Sequence, residues 1–264
     1  MTETRTEPAP INATRLRPFR LSAMLWLGSF AIIAAGIFRE WYVFHFGTEG
    51  FLKDLRHIAL NAEYCLPAWY SSLLLISAAG LLALATGAAA RNGERYLFHW
   101  AALAVIFAGL SADEATGVHE VAIEPLRTGL GLSGIFHFGW VIPGAILVGL
   151  VGLAYIPFLL ALPGRSRLVF FTAGVIFVGG ALGMEMAGGY LLTQHGEESL
   201  AYIVAFIVEE SMEIIGATLF VTGLMGHLKR QYGGAALVIA GRPRARHESA
   251  RHRLTAGGHA PICP

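Results

Sequence analysis

Apolar residues are concentrated in six long blocks separated by short polar segments. Each block is long enough for a helix that crosses a hydrocarbon layer of about 30 Å, which takes about 20 residues. Backbone amides in lipid must bond within their own segment, and the blocks lack the alternation of barrel strands. The pattern therefore predicts an all-α integral membrane bundle of six transmembrane helices. The blocks are Leu21 to Phe38, Leu66 to Ala89, Leu97 to Val118, Phe136 to Leu162, Leu168 to Leu192 and Leu200 to Leu224.

The composition agrees with this interpretation. The chain has 264 residues, of which 55% are hydrophobic and 14% charged, and its mean hydropathy is +0.58. Soluble domains carry about 25% charged residues. The first block has no convincing small-residue cleavage site before Arg39, so we expect a retained helix and not a signal peptide.

The distribution of cations predicts the orientation, because Lys and Arg are retained in short cytoplasmic loops. Fifteen of the 19 Lys and Arg residues lie in the two tails and in the second and fourth connections. Both termini are therefore predicted to be cytoplasmic, in a multi-pass protein of a bacterial inner membrane. The net charge of +1 gives no indication of nucleic acid binding, and the predicted partners are the lipid bilayer and a lipid-soluble small molecule.

The domain organisation follows from the same pattern. Residues 1–20 are predicted to form a cytoplasmic tail, and residues 21–227 the transmembrane domain. Residues 228–264 are rich in Gly, Arg and His and are predicted to be a disordered basic tail. A short helix near residues 48–63 is predicted to lie along the outer membrane surface. Its signals are a capping Thr48 and apolar residues on one side at Phe51, Leu52, Leu55, Ile58 and Ala59.

Acidic residues inside the predicted spans are the candidates for chemistry. Each ionisable residue in a span costs about 2.5–3.5 kcal/mol on insertion scales, so such residues are seldom incidental. A rise of about 1.5 Å per residue places Asp113, Glu185 and Glu209 roughly 5–8 Å on the outer side of their span centres. Acids on three helices thus share one depth, and we expect them to face a common interior point.

A metal site is the preferred interpretation of these acids, since no Lys or Arg lies inside a predicted span. Carboxylates with one or two imidazoles suit iron, manganese or zinc, as one ion or two. The spacing differs from the Glu-x-x-His pairs of di-iron bundles. The predicted ligands are Asp113, Glu114, His119, Glu120, Glu185, Glu209, Glu210, Glu213 and His137.

The buried acids also have two interpretations that require no metal. Protonated acids hydrogen-bonded to the hydroxyls of Ser111, Thr116 or Ser211 would have a purely structural role. Alternatively, the same acids would load and release protons in a proton-coupled transporter.

Three short patterns resemble those of a family of uncharacterised bacterial six-span membrane proteins. They are Asp113-Glu114 followed by His119-Glu120, then Glu209-Glu210 with Glu213 and Gly216, and Pro67-x-Trp69-x-Ser71. The resemblance covers most of the membrane region and neither tail. It implies no reaction, so it supports the choice of residues and not their roles.

The functional expectation is metal-dependent oxidation or hydrolysis of a lipid-soluble small molecule. The predicted site lies within reach of the outer leaflet, and a bound metal would act there as a Lewis acid or redox centre. The alternatives are a proton-coupled transporter and a non-catalytic subunit of a membrane complex.

Overall fold

The computed structural model describes residues 18–47 and 55–233, which form eight α-helices and no strand. A 3-10 turn at Leu55–Ile58 precedes α2, another at Gly134–Phe136 precedes α5, and a π-helical turn at Gly179–Met184 joins α6 to α7. The helices are α1 (Pro18–Phe46), α2 (Leu66–Asn92), α3 (Leu97–Thr116), α4 (Val118–Leu130), α5 (Val141–Ala161), α6 (Gly164–Val178), α7 (Glu185–His195) and α8 (Leu200–Tyr232).

Within the described residues, five helical stretches are long and apolar enough to cross a membrane, which indicates a membrane protein. Four of them correspond to α1, α2, α3 and α5, and the fifth, Gly164–His195, comprises α6, the π turn and α7. The sixth predicted span corresponds to α8, which is not among the five. Six spans and the sides of the termini therefore stay predictions.

The first helix extends further than the sequence pattern predicts. It continues past Phe38 to Phe46 and so includes Arg39 and Glu40. The Arg39 guanidinium donates hydrogen bonds of 2.9 and 2.8 Å to the buried Glu40 carboxylate. Arg39 thus lies inside the candidate span formed by α1 but outside the predicted block, and it pairs there with a neighbouring acid.

The predicted surface helix near residues 48–63 falls partly outside the described residues, which omit 48–54. The described part of that segment begins with the 3-10 turn Leu55–Ile58. Of the predicted tails, residues 1–17 and 234–264 also lie outside the described residues, while α8 runs to Tyr232.

The bundle is held together along α2, α3, α6 and α8. Trp100 of α3, Phe158 of α5 and Leu224 of α8 are buried in an aromatic core near the end of the bundle where α8 terminates. Closer to the middle, hydroxyls bridge the helices: Ser29 of α1 hydrogen-bonds Thr218 of α8 at 2.6 Å. Such interhelical hydrogen bonds are each worth about 0.6 kcal/mol in membrane proteins. The opposite end, where α2 and α8 begin and α3 ends, is called the site end.

Glycines and the π turn determine how closely α6 packs against α8. A Cβ on Gly216 of α8 would lie 2.7 Å from the backbone nitrogen of Phe177. Gly180 is the buried residue of the π turn, whereas Gly183 is exposed. The extra residue in a π turn rotates the chain, which brings Gly180 and not Gly183 against α8.

Candidate metal centre

The junction between α3 and α4 is a sharp turn at Gly117. This residue has a left-handed φ of +60°, and its amide donates to the Asp113 carbonyl at 2.7 Å. The sequence predicted one span running through this point to Val118. Instead, the glycine ends α3 and starts a new helix, α4. Asp113 and His119, six residues apart, therefore come into direct contact.

Asp113 fixes the imidazole of His119 through two hydrogen bonds. Its Oδ1 accepts from the His119 backbone amide at 2.9 Å, and its Oδ2 lies 2.8 Å from Nδ1 of the ring. Burial by itself lowers the pKa of His119, but the hydrogen bond and negative charge of Asp113 outweigh burial, and the pKa is raised. With Nδ1 engaged, Nε2 is the ring nitrogen left to bind a ligand.

Glu63 reaches the same place from the connection between α1 and α2. Its Oε2 lies against Gly117, where a Cβ would be 3.2 Å away, and this buried oxygen has no hydrogen-bond partner within the described residues. Burial raises the pKa of Glu63, and the negative charge of Glu120 adds to that effect. An ionised carboxylate in this position calls for a cation.

Glu63, His119 and Glu120 together form the metal group. Each offers one ligand atom, and these atoms all lie within 4.8 Å of one another. Ligand distances for zinc are about 2.0–2.2 Å, so two ligand atoms of one tetrahedral ion lie about 3.4 Å apart. Glu120 is exposed, so its side chain has room to move toward an ion. The group could hold a metal ion.

A second group, the carboxyl pair, lies beside the first. The carboxyl groups of Glu185 on α7 and Glu209 on α8 face each other within hydrogen-bonding range. Trp140 connects the two groups: its Nε1 donates to Glu185 Oε1 at 3.0 Å, and its ring packs against the His119 ring with centroids 5.0 Å apart. One indole thus positions a residue of each group.

Three further predicted acids interact electrostatically with these groups: Glu114, Glu210 and Glu213. The charge of Glu210 interacts with those of Glu114, Glu185 and Glu63, and the charge of Glu213 interacts with that of Glu210. Among the described residues none of the three acids has a hydrogen-bond partner. The site end therefore contains a concentration of acidic groups that reaches down α8.

The hydroxyls considered as partners for protonated acids bond elsewhere. Ser111 exchanges hydrogen bonds of 2.9 Å with the backbone and side chain of Ser72 on α2. Thr116 donates to the Ala112 carbonyl, and the buried Ser211 Oγ has no partner in the part of the chain described. The structure thus gives no support to protonated acids that are hydrogen-bonded to these hydroxyls.

His137 lies apart from the other predicted ligands. Arg127 donates to its Nε2 at 3.1 Å, and burial, followed by the Arg127 charge, lowers its pKa. A guanidinium in that position repels a cation. Its role as a ligand stays a prediction, as do those of Glu114, Glu185, Glu209, Glu210 and Glu213, which lie outside the metal group.

Glu63 is the residue that sequence reasoning missed. It precedes the second predicted span by three residues. The sequence contained one signal: Glu63 is an acid beside a span boundary, on the side of the membrane to which the other acids lie nearest. Its contact with His119 depends on the turn at Gly117, which no spacing rule reveals.

The fold and this site define a helical membrane protein with a carboxylate and histidine group suited to a metal ion. The chain belongs to the family described as Domain of unknown function (DUF8692), which matches residues 24–228. The match covers nearly all of the described helices. No curated protein and no solved structure shows significant similarity to the chain.

Proposed function

We propose that this protein is a six-span metalloprotein of the bacterial inner membrane, with its metal site facing the periplasm. The observation that carries the proposal is the metal group itself: ligand atoms of Glu63, His119 and Glu120 within 4.8 Å of one another, contributed by two separate segments. The unpartnered buried oxygen of Glu63 and the Asp113 bond to His119 support it. A carboxylate that orients a ligating imidazole is the usual outer shell of such sites.

The packing of α8 supports the proposal of six spans. This helix has 33 residues and would extend about 50 Å at a rise of 1.5 Å per residue, more than a membrane requires. It packs along α2 and α6, both of which are candidate spans. A helix that packs beside two candidate spans is expected to cross the membrane with them. The cation distribution supports cytoplasmic positions for both termini.

The chemistry of the donor set favours iron, manganese or zinc, because two carboxylates and one imidazole are borderline ligands with no thiolate. Three protein ligands leave at least one coordination position for water or a substrate, as in catalytic sites. A metal with an open position near the membrane boundary would support oxidation or hydrolysis of a lipid-soluble molecule.

Metal analysis of the purified full-length protein tests the proposal. We expect stoichiometric iron, manganese or zinc in the wild type and its loss in Glu63→Gln and Glu120→Gln. Glu197→Gln, which changes an exposed acid between α7 and α8, is the matched control and should retain the metal. Folded wild-type protein that binds none of the three metals after reconstitution would overturn the proposal.

Proton-coupled transport is a second candidate, favoured by the pairing of the Glu185 and Glu209 carboxyl groups. Two carboxyl groups that face each other can share a proton, and such a pair next to the acids of α8 would suit a proton pathway. Glu185→Gln should then abolish proton flux into proteoliposomes while leaving the metal content unchanged. Proteoliposomes in which wild-type flux equals that of empty vesicles would exclude this function.

A further inference from the structure

A cavity of about 380 Å³ opens beside the candidate metal centre, between the start of α2 and the end of α3. Its walls are mostly apolar and aromatic, and one carboxyl group lies among them. The lining residues are Tyr64, Cys65, Leu66, Ala68, Trp69, Glu114 and Ala115. The metal group contributes no side chain to this lining, so the cavity is a separate site.

Two aromatic residues, Tyr64 and Trp69, line the cavity. Tyr64 has a φ of 57°, a left-handed conformation that is rare for a bulky residue. The Tyr64 hydroxyl donates to the Thr116 carbonyl on α3 at 3.3 Å. Tyr64 and Trp69 are 79% and 60% exposed, so their rings are available to a ligand.

The polar group of the cavity is an acid without a hydrogen-bond partner in the described chain. The Glu114 carboxyl group interacts electrostatically with Glu63 and with Glu210, and both of these neighbours are acids. An anionic ligand would be repelled by this field, and a neutral head group would leave it uncompensated. A cation would be attracted to it.

Aromatic faces and a carboxylate are together the usual means of recognising organic cations. A quaternary ammonium over the face of Trp or Tyr gains about 0.5–2 kcal/mol from the ring quadrupole, more as water is excluded. The exposed side chains of Leu66 and Trp69 continue the apolar surface along α2, at the end of a candidate span. A ligand with an alkyl chain would lie there in contact with lipid.

We propose that this cavity, the aromatic cavity, binds the head group of a single-chain lipophilic organic cation, with Glu114 as counter-ion and Tyr64 and Trp69 against the cation. The site goes beyond the proposed metal centre, and neither depends on the other. Its ligands are amines or ammonium amphiphiles that reach the protein through the membrane.

Binding of radiolabelled dodecyltrimethylammonium to the full-length protein in nanodiscs, corrected for empty nanodiscs, tests the proposal. We expect saturable binding that unlabelled ligand displaces and that dodecanol, with the same chain and no charge, does not. Glu114→Gln keeps the side-chain shape and should weaken binding at least about tenfold, which corresponds to 1.4 kcal/mol. Glu197→Gln is the charge-matched control and should bind as the wild type does.

A second pair of variants tests the location. Ala115→Trp fills the cavity and should abolish binding, whereas Ala102→Trp places the same ring on the exposed face of α3 and should not. Both proteins are checked for monodispersity, and Glu114→Gln decides the matter if Ala115→Trp does not fold. Equal binding by Glu114→Gln and wild type, or displacement by dodecanol, would overturn the proposal. Metal analysis of the same samples reports separately on the metal group.

Discussion

The turn at Gly117 is the residue on which the metal group depends. Its left-handed backbone, with φ of +60°, ends α3, and its missing Cβ leaves room for the carboxyl group of Glu63. Side chains larger than hydrogen are disfavoured for both reasons. A substitution at Gly117 therefore strains the backbone and disturbs the metal group at the same time. A control that strains the backbone alone separates the effect on stability from the effect on metal binding.

Gly117→Ala should lower the free energy of unfolding by about 1–2 kcal/mol, the cost of a left-handed conformation for an L-residue. It should also reduce metal affinity, because the new Cβ would lie 3.2 Å from the Glu63 carboxyl group. Gly131→Ala has the same backbone strain, with φ of +65° and no atom within 4 Å, and should reduce stability only. Denaturant titration and metal titration in micelles measure both effects. Equal metal affinities in the two variants would contradict this role.

The ionisation of His119 and Glu63 makes stability depend on pH. Both pKa values are raised in the folded protein, from ordinary values of 6.5 and 4.5. The stability that each group contributes is fully present below its ordinary value and is lost as the pH rises through the raised value. The melting temperature of the metal-free protein should thus fall as the pH rises above these ordinary values.

Metal should reverse this trend, because it binds the ionised carboxylate and the neutral imidazole and competes with protons at both. Thermal melts with and without metal across this pH range provide the measurement. Asp113→Asn should remove the His119 part of the dependence and weaken metal binding about 10–100-fold, the usual effect of losing such a partner. A melting temperature that rises with pH in the metal-free protein would contradict the assignment.

At the scale of the elements, the contact of α6 with α8 positions the acids of α8. Gly216 allows the backbone of Phe177 to approach, and Gly180 in the π turn allows Glu209 to approach. A π turn is common at functional sites because it breaks helical periodicity locally. Here it precedes Glu185, the first residue of α7, whose carboxyl group meets that of Glu209.

Gly216→Ala should destabilise the bundle by about 1–3 kcal/mol, because an added methyl in a packed interface forces the helices apart. Its Cβ would lie 2.7 Å from a backbone nitrogen that belongs to the neighbouring helix and has little freedom to move. Gly109→Ala on α3, with no atom within 4 Å, should be neutral or stabilising by about 0.5–1 kcal/mol. Unfolding in mixed micelles measures the free energy of unfolding of both variants. Similar stability of Gly216→Ala and Gly109→Ala would disprove the close packing.

At the scale of the whole molecule, the six-span topology depends on whether α8 crosses the membrane. Three glutamates in its first half reduce its hydropathy, yet it packs against helices that are long and apolar enough to cross. Insertion as part of a bundle spares the acids from lipid, because they face the interior and the site end. Topology is therefore a property of the assembly and not of α8 alone.

Reporter fusions at the connections should resolve six spans. We expect cytoplasmic fluorescent-protein activity at the second and fourth connections and after α8, and periplasmic alkaline phosphatase activity at the third and fifth connections. The fusion sites are Gly93, Pro163 and Gly233 on the cytoplasmic side and Gly131 and Gly196 on the periplasmic side. Phosphatase activity at Gly233 would show that α8 does not cross.

The sequence by itself determined the helical membrane-like character of the protein and the region of its chemistry. Long apolar blocks leave helices as the solution in lipid, and acids inside them are too costly to be incidental. His119, Glu120 and the supporting Asp113 were identified in this way. These conclusions depend on local composition and on helical rise, both of which can be read along the chain.

The tertiary structure alone decided which acids meet. Glu63 joins His119 because a left-handed glycine turns the chain beneath it, and Glu185 meets Glu209 after a π turn. His137 faces Arg127 instead of the acids. Each outcome depends on a break in helical periodicity or on packing between distant segments, and sequence spacing carries information about neither.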